Sequence, residues 1–325
     1  MTNTRLDAAP ADRLAHFPVT FFAVVMGLLG LTLALHAAAP VWVPAGALSS
    51  GTLGLSLLAL AVISALYVLK VLRHPGAVAA EWQHPVKLAF FPTITISLLL
   101  LATALWPVWP GLARSVWLVG VIGQGALTVA VISGWISHRS FQVGHLTPAW
   151  FIPAVGNVIV PVAGVPMGYV ETSWLFFSGG LMFWVVLLTL VMNRLIFHDP
   201  IPARLFPTMV ILIAPPSVAF VAHVALAGGL DGLARGLIYT AYIFAALVMV
   251  QVPKLGRLPF ALSWWALSFP LAALAIASFR FAALAGTLAH LLIGAVALGL
   301  LILVVLGLAV RTGIAVARGG ICRPE

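Results

Sequence analysis

Ten apolar runs, each about as long as a bilayer is thick, take up most of this 325-residue chain. A helix needs roughly 20 apolar residues to cross a hydrocarbon core about 30 Å thick. Cutting the sequence at charges, prolines and glycines places the runs at 17–36, 51–71, 86–106, 114–137, 148–168, 173–197, 205–227, 233–252, 259–279 and 287–311. Backbone amides in lipid must be satisfied within the segment or by a closed barrel, so runs of this length predict helices. Composition agrees, because 63% of residues are hydrophobic and only 7% charged, whereas soluble domains carry about 25% charge. The reading is an all-α integral membrane protein.

The net charge of +9 does not imply a nucleic-acid partner, which would require a basic face on a soluble domain. The single cysteine, Cys322, excludes an intrachain disulfide framework, a CxxC site and an iron–sulfur cluster. The first apolar run continues to Leu35 without a small-residue cleavage site, so it reads as a span and not as a leader. The expected organisation is a cytoplasmic N-terminal tail over 1–16, a ten-helix domain over 17–311 and a cytoplasmic C-terminal tail over 312–325.

Orientation follows from Lys and Arg, which are retained on the cytoplasmic side. With ten spans, only Arg114, Arg235 and Arg280 fall on one side, and the other thirteen of the sixteen basic residues fall on the other. Among these are Arg5, Lys70, Arg73, Lys87, Arg139, Arg204, Lys254, Arg257 and Arg323. Both termini are therefore expected in the cytoplasm, with the protein in a bacterial inner membrane.

Prolines divide the spans into two kinds. The odd-numbered spans hold or open on Pro18, on Pro92, on Pro148, Pro153, Pro161 and Pro166, on Pro207, Pro215 and Pro216, and on Pro259 and Pro270. The even-numbered cores hold none. One bent and one straight helix therefore repeat as five helical hairpins. Irregular backbone at membrane depth is tolerated only inside protein or along a water-filled cavity. An inner five-helix pore of odd spans, surrounded by an outer ring of even spans, satisfies this requirement.

Inner spans without mid-depth carboxylates suit anions better than cations, whose pores carry Asp or Glu rings. Lys70, Arg73 and Lys87 are candidate charges at the cytoplasmic mouth. In the ninth span Ser263, Ala266, Pro270 and Ala273 form a narrow sector of small residues bordered by Phe269. A ring beside small neighbours has room to occupy a central space, which makes Phe269 a candidate plug. His223 and His290 read as hydrogen-bonded packing residues. His74 and His84, about ten residues apart, make a poor metal site without further ligands. No catalytic set, cofactor motif or metal-ligand motif is present, so the chain does not read as an enzyme.

The stretches HPVKLAFFPTITISLLLLA at 84–102, LTPAWFIPAVGNVIVPVAG at 146–164 and FALSWWALSFPLAALAIAS at 260–278 resemble the tellurite-resistance/dicarboxylate transporter family. That family includes bacterial TehA, the plant guard-cell slow anion channels, the fungal malate permease and sulfite efflux pumps. The resemblance runs from Phe17 to about Arg311. It implies ten helices as five hairpins, a homotrimer with one pore per subunit, and a phenylalanine that blocks each pore. The pattern Phe-x-x-Ser-aromatic-Trp-x-x-Ser-Phe puts that residue at Phe269, with Phe260 and Ser263 opening the motif. The same matching puts Ala23 at a small pore-lining position and Pro92, Pro153 and Pro215 at inner-helix bends. Pro270 stands where TehA-like members have glycine.

Two functions stay open at this stage. One is a channel for small monovalent anions such as chloride or nitrate. The other is a proton-coupled exporter of C4-dicarboxylates such as malate, or of sulfite, as in tellurite-resistance transporters of the family. A carrier needs a polar site at mid-depth, and Asn157, Ser97, Thr95 and the histidines are the only candidates.

Overall fold

The computed structural model describes residues 13–137, 141–256 and 258–322. Arg5, Arg139, Arg257 and Arg323, which entered the charge count, lie outside the described residues. Eleven α-helices follow in chain order: α1 (Phe22–Ala38), α2 (Pro44–Arg73), α3 (Pro75–Gln83), α4 (Thr93–Leu105), α5 (Pro110–Ser137), α6 (Phe151–Gly164), α7 (Val170–Phe197), α8 (Ala214–Ala227), α9 (Gly232–Leu255), α10 (Ser268–Ala285) and α11 (Leu288–Ala317). No strand occurs among the described residues.

Among those residues, nine helical stretches are long and apolar enough to cross a membrane, and Pro148–Gly164 is a shorter apolar helix. With a rise of about 2.0 Å per residue in its 3-10 part and 1.5 Å in its α part, that helix is about 27 Å long. This approaches the thickness of the hydrocarbon core. The chain is a multi-pass membrane protein.

Burial separates the stretches into two sets. In the four long odd-numbered stretches, 61–78% of the most apolar segment is buried, and in the five even-numbered ones only 22–33%. In the short fifth stretch, Pro148–Gly164, every residue except Val162 is buried. The exposed residues of the even set are themselves apolar, among them Leu58, Val119, Val185 and Leu303. Apolar exposure on this scale is stable only against lipid or another apolar surface. The buried set closes on itself: α1 packs on α4 and α10, α4 on α6, α6 on α8, and α8 on α10. Each buried helix also packs on the exposed helix that follows it, as α1 does on α2 and α10 on α11.

Every buried segment begins as a 3-10 helix and continues as an α-helix. The 3-10 stretches are Val19–Phe21, Lys87–Phe90, Pro148–Trp150, Phe206–Ile213 and Leu262–Leu267. The prolines explain where the α-helices start. Pro92 is the N-cap of α4, Pro153 and Pro270 are the third residues of α6 and α10, and Pro215 and Pro216 occupy the first turn of α8. A missing N–H costs nothing in a first turn, where the amide has no α-helical partner. The expectation of mid-helix kinks at these prolines is thereby corrected. They mark junctions between two helix types, and Pro161, inside α6, is the exception. Pro18 caps the first 3-10 stretch. One outer helix also carries a proline, Pro253, because α9 extends to Leu255.

Close approach of α1 to α10 depends on glycine. A Cβ at Gly27 would run into the Ser268 hydroxyl and come within 2.9 Å of the Trp265 ring, and one at Gly30 would lie 2.9 Å from the Ala272 methyl.

Candidate functional site

The five junctions meet around one cavity. Its wall takes Ala23 and Met26 from α1, Phe90, Thr93 and Ile96 from the third segment, and Ile152 and Val155 from α6. Ile211 and Ala214 come from the seventh segment, and Trp265, Ala266, Phe269 and Pro270 from the ninth. Ala23, Thr93, Ile152, Ala214 and Phe269 are each the first or second residue of an α-helix. The 3-10 to α transitions therefore lie around the same cavity.

The cavity volume is about 40 Å3, against roughly 10–15 Å3 for one water. Its surface is almost entirely hydrocarbon. The one hydroxyl, on Thr93, already donates to the Phe90 carbonyl at 2.6 Å. Neither a carboxylate nor an ammonium lines the space. The first amides of the α-helices are already bonded to the preceding 3-10 turns, as Ala214 N–H is to the Ile211 carbonyl and Ser268 N–H to the Trp265 carbonyl. Phe269 is half-buried, with its ring edge toward Gly30 of α1. Trp265 is held from behind by a bond from its indole N–H to Thr312 Oγ1 at 2.9 Å.

The sequence-derived candidates fall into three groups. Ala23, Ala266, Phe269 and Pro270 line the cavity. Pro18, Pro92, Pro153, Pro161, Pro215 and Pro216 shape the segments without lining it. The remaining polar candidates make hydrogen bonds elsewhere: Ser263 donates to the Arg204 carbonyl at 2.5 Å. Asn157 donates from Nδ2 to Thr128 Oγ1 and to the Pro153 carbonyl, both at 3.0 Å. Asn157 belongs to a polar cluster between inner and outer helices, in which Thr95 donates to Gln124 Oε1 at 2.7 Å and Gln124 Nε2 donates to the Pro153 carbonyl at 3.0 Å.

Lys70 is not a charge at the mouth. It is 1% exposed, donates to Glu81 Oε2 at 2.7 Å and to the Phe17 carbonyl at 2.9 Å. Glu81, on the unforeseen helix α3, also accepts from Tyr67 Oη and from the Val19 amide, both at 3.1 Å. A buried cation requires such a partner, and here the pair fixes the start of the first segment. Arg73 is exposed and Lys87 half-buried.

His223 bonds through Nε2 to Asp231 Oδ2 at 2.8 Å, and His290 through Nδ1 to Thr287 Oγ1 at 2.7 Å. His84 Nδ1 accepts from the amides of Val86 and Lys87. No group of three or more potential metal ligands occurs among the described residues.

Met26, Phe90, Thr93, Ile96, Ile152, Val155, Ile211, Ala214 and Trp265 were missed by the sequence reading. They sit at or beside junctions that apolar runs do not reveal.

The inner face is thus a ring of five buried helices around an apolar cavity, inside an apolar outer shell. Residues 16–313 match the family described as voltage-dependent anion channel, SLAC1, and the chain belongs to that family. It is 27% identical over 283 residues to the S-type anion channel SLAH3 of Arabidopsis thaliana, covering 83% of this chain and 44% of that protein. It is 26% identical over 267 residues to the tellurite resistance protein TehA homolog of Haemophilus influenzae, covering 81% of each. An uncharacterized transporter of Methanocaldococcus jannaschii is 27% identical over 230 residues, which is 63% of this chain and 67% of that protein. The chain thus spans less than half of the plant relative.

Proposed function

We propose that this protein is an anion channel whose path runs through the centre of the five inner helices and is occluded by Phe269. The observation that carries the reading is the apolar cavity where all five 3-10 to α junctions meet, with Phe269 in its wall. A void of this size admits a few waters but not a hydrated ion, and an apolar constriction that excludes water blocks conduction. Turning or removing the ring widens the path. Anion preference comes from the lack of acidic side chains, without a fixed cation that would trap the ion. Small monovalent anions such as chloride or nitrate fit a lining that offers no multidentate site.

In this reading all ten apolar stretches cross the membrane as five hairpins, and both termini lie in the cytoplasm of a cell with the protein in its inner membrane. The tails, 1–16 and 312–325, flank the channel domain. Arg73, Lys87, Arg204 and Lys254 raise the local anion concentration at the cytoplasmic mouth. The assembly is a homotrimer with a path in each subunit, in contact with lipid and with inorganic or small organic anions.

Proton-coupled export of a C4-dicarboxylate or sulfite is the competing reading, and the tellurite resistance relative keeps it in view. It needs polar groups on the path, but Thr95 and Asn157 are engaged with Gln124 and Thr128 of α5. Flux from liposomes separates the two. A channel releases chloride or nitrate without a proton gradient, faster in Phe269→Ala than in wild type. Movement of malate or sulfite only under a proton gradient, with no chloride or nitrate flux in either protein, establishes the carrier.

A further inference from the structure

Arg194 lies in the last turn of α7 and is 3% exposed. Its Nε donates to the Val143 carbonyl at 2.8 Å, but its Nη1 is buried without an acceptor. Arginine cannot lose its proton in a protein, so a full charge is held out of water. It forms no ion pair among the described residues. By contrast the other buried cation, Lys70, has both a carboxylate and a carbonyl. The C-terminal end of α7 gives Arg194 a favourable potential, yet it leaves Nη1 with no oxygen to bond.

The stretch that follows Val143 holds further buried polar atoms without partners. The Thr147 hydroxyl, four residues beyond the carbonyl that anchors Arg194, is fully buried with no partner. The indole N–H groups of Trp135 and Trp150 are also buried and unpartnered. Their rings stack at 4.4 Å, with Phe141 edge-on to Trp150 at 5.6 Å. An indole N–H only donates, and a guanidinium only donates. Native proteins leave few buried polar groups unpaired, and each exception points to a missing partner. None of these residues lines the central cavity.

We infer that Arg194, with Thr147, forms an anion-binding site where α7 ends and the fifth segment begins, apart from the central path. Its ligand is a compact anionic group: a free inorganic anion such as nitrate or phosphate, or the phosphate of a lipid headgroup at the membrane edge. The inference does not depend on Phe269 being a plug, and it assigns the end of an outer helix a binding role.

The test uses the full chain, purified in detergent and exchanged into gluconate at constant ionic strength. Thermal unfolding is followed as nitrate or inorganic phosphate replaces gluconate, and separately as phosphatidylglycerol replaces phosphatidylcholine in the micelle. A ligand that binds only the folded state raises Tm with the logarithm of its concentration once above Kd. Wild type shows this rise with at least one probe, Arg194→Gln loses it, and Arg114→Gln, which removes an exposed arginine, retains it. A response to the free anions identifies a soluble ligand, and a response to phosphatidylglycerol alone identifies the headgroup. Thr147→Val, which keeps the charge and the side-chain shape, weakens apparent binding about tenfold and serves if Arg194→Gln does not fold. The inference is overturned if wild type responds to none of the probes, or if the response is unchanged in both Arg194→Gln and Thr147→Val.

Discussion

Replacing Glu81 with glutamine isolates the Lys70 ammonium beneath the first inner segment. The Lys70 side chain is 1% exposed and that of Glu81 6%, with 2.7 Å between Nζ and Oε2. Removing one member of a buried pair costs about 3–5 kcal/mol, because the remaining charge keeps its desolvation penalty and loses its attraction. Lys70→Met alone costs a similar amount. In Lys70→Met/Glu81→Gln no charge remains, the new amide oxygen still accepts from Val19 or Tyr67, and only the Phe17 carbonyl loses its donor. That loss is about 1–3 kcal/mol. The double variant is therefore more stable than either single one, with a favourable coupling of about 2 kcal/mol or more. Membrane proteins often unfold irreversibly, so the assay is the half-life in detergent at one temperature. A 3 kcal/mol loss falling wholly on the unfolding barrier shortens it about 150-fold. A Glu81→Gln variant as long-lived as wild type, or a double variant worse than the sum of the singles, refutes the reasoning.

Three other outcomes are expected. Gly27→Ala forces α1 away from Ser268 and Trp265 and lowers stability by about 1–3 kcal/mol, read from thermal unfolding, while Gly51→Ala on the open face of α2 leaves it unchanged. Asp231 caps α9, and the Ala234 amide and then His223 hold its carboxyl below the usual range. A depressed carboxylate contributes stability above its unfolded pKa of about 4 and loses it as pH falls through the lower folded value. The stability gap between wild type and Asp231→Ala therefore narrows below about pH 4, as unfolding scans at pH 3 and pH 7 would show. Gln124→Leu leaves Thr95 and the Pro153 carbonyl with fewer partners and costs about 1–3 kcal/mol, measured as a faster loss of monodispersity on heating.

Charge and proline placement made the membrane class and the division into buried and exposed helices legible, since both answer directly to solvent. Phe269, Ala266 and Pro270 reached the cavity wall through a sector of small residues that a helical wheel displays. The 3-10 stretches were not legible: in segments such as FPTMVILI, where nearly every residue is apolar, side-chain periodicity does not separate three residues per turn from 3.6. For the same reason prolines that open α-helices looked like prolines that bend them. Lys70 read as a free surface charge because its partner, Glu81, lies on the nine-residue helix α3, too short and mixed in composition to register. Gln124, Thr128 and Asn157 come together only once α5 lies along α6, a pairing that no local pattern encodes.

The central claim, that anions pass the point held by Phe269, is tested most directly by the reversal potential of Phe269→Ala in planar bilayers under a potassium chloride gradient. The account predicts a macroscopic current at least a hundredfold above wild type, equivalent to about 2.7 kcal/mol off the barrier, reversing near the chloride equilibrium potential. A folded Phe269→Ala protein that conducts no more than wild type, or a current reversing near the potassium potential, contradicts it.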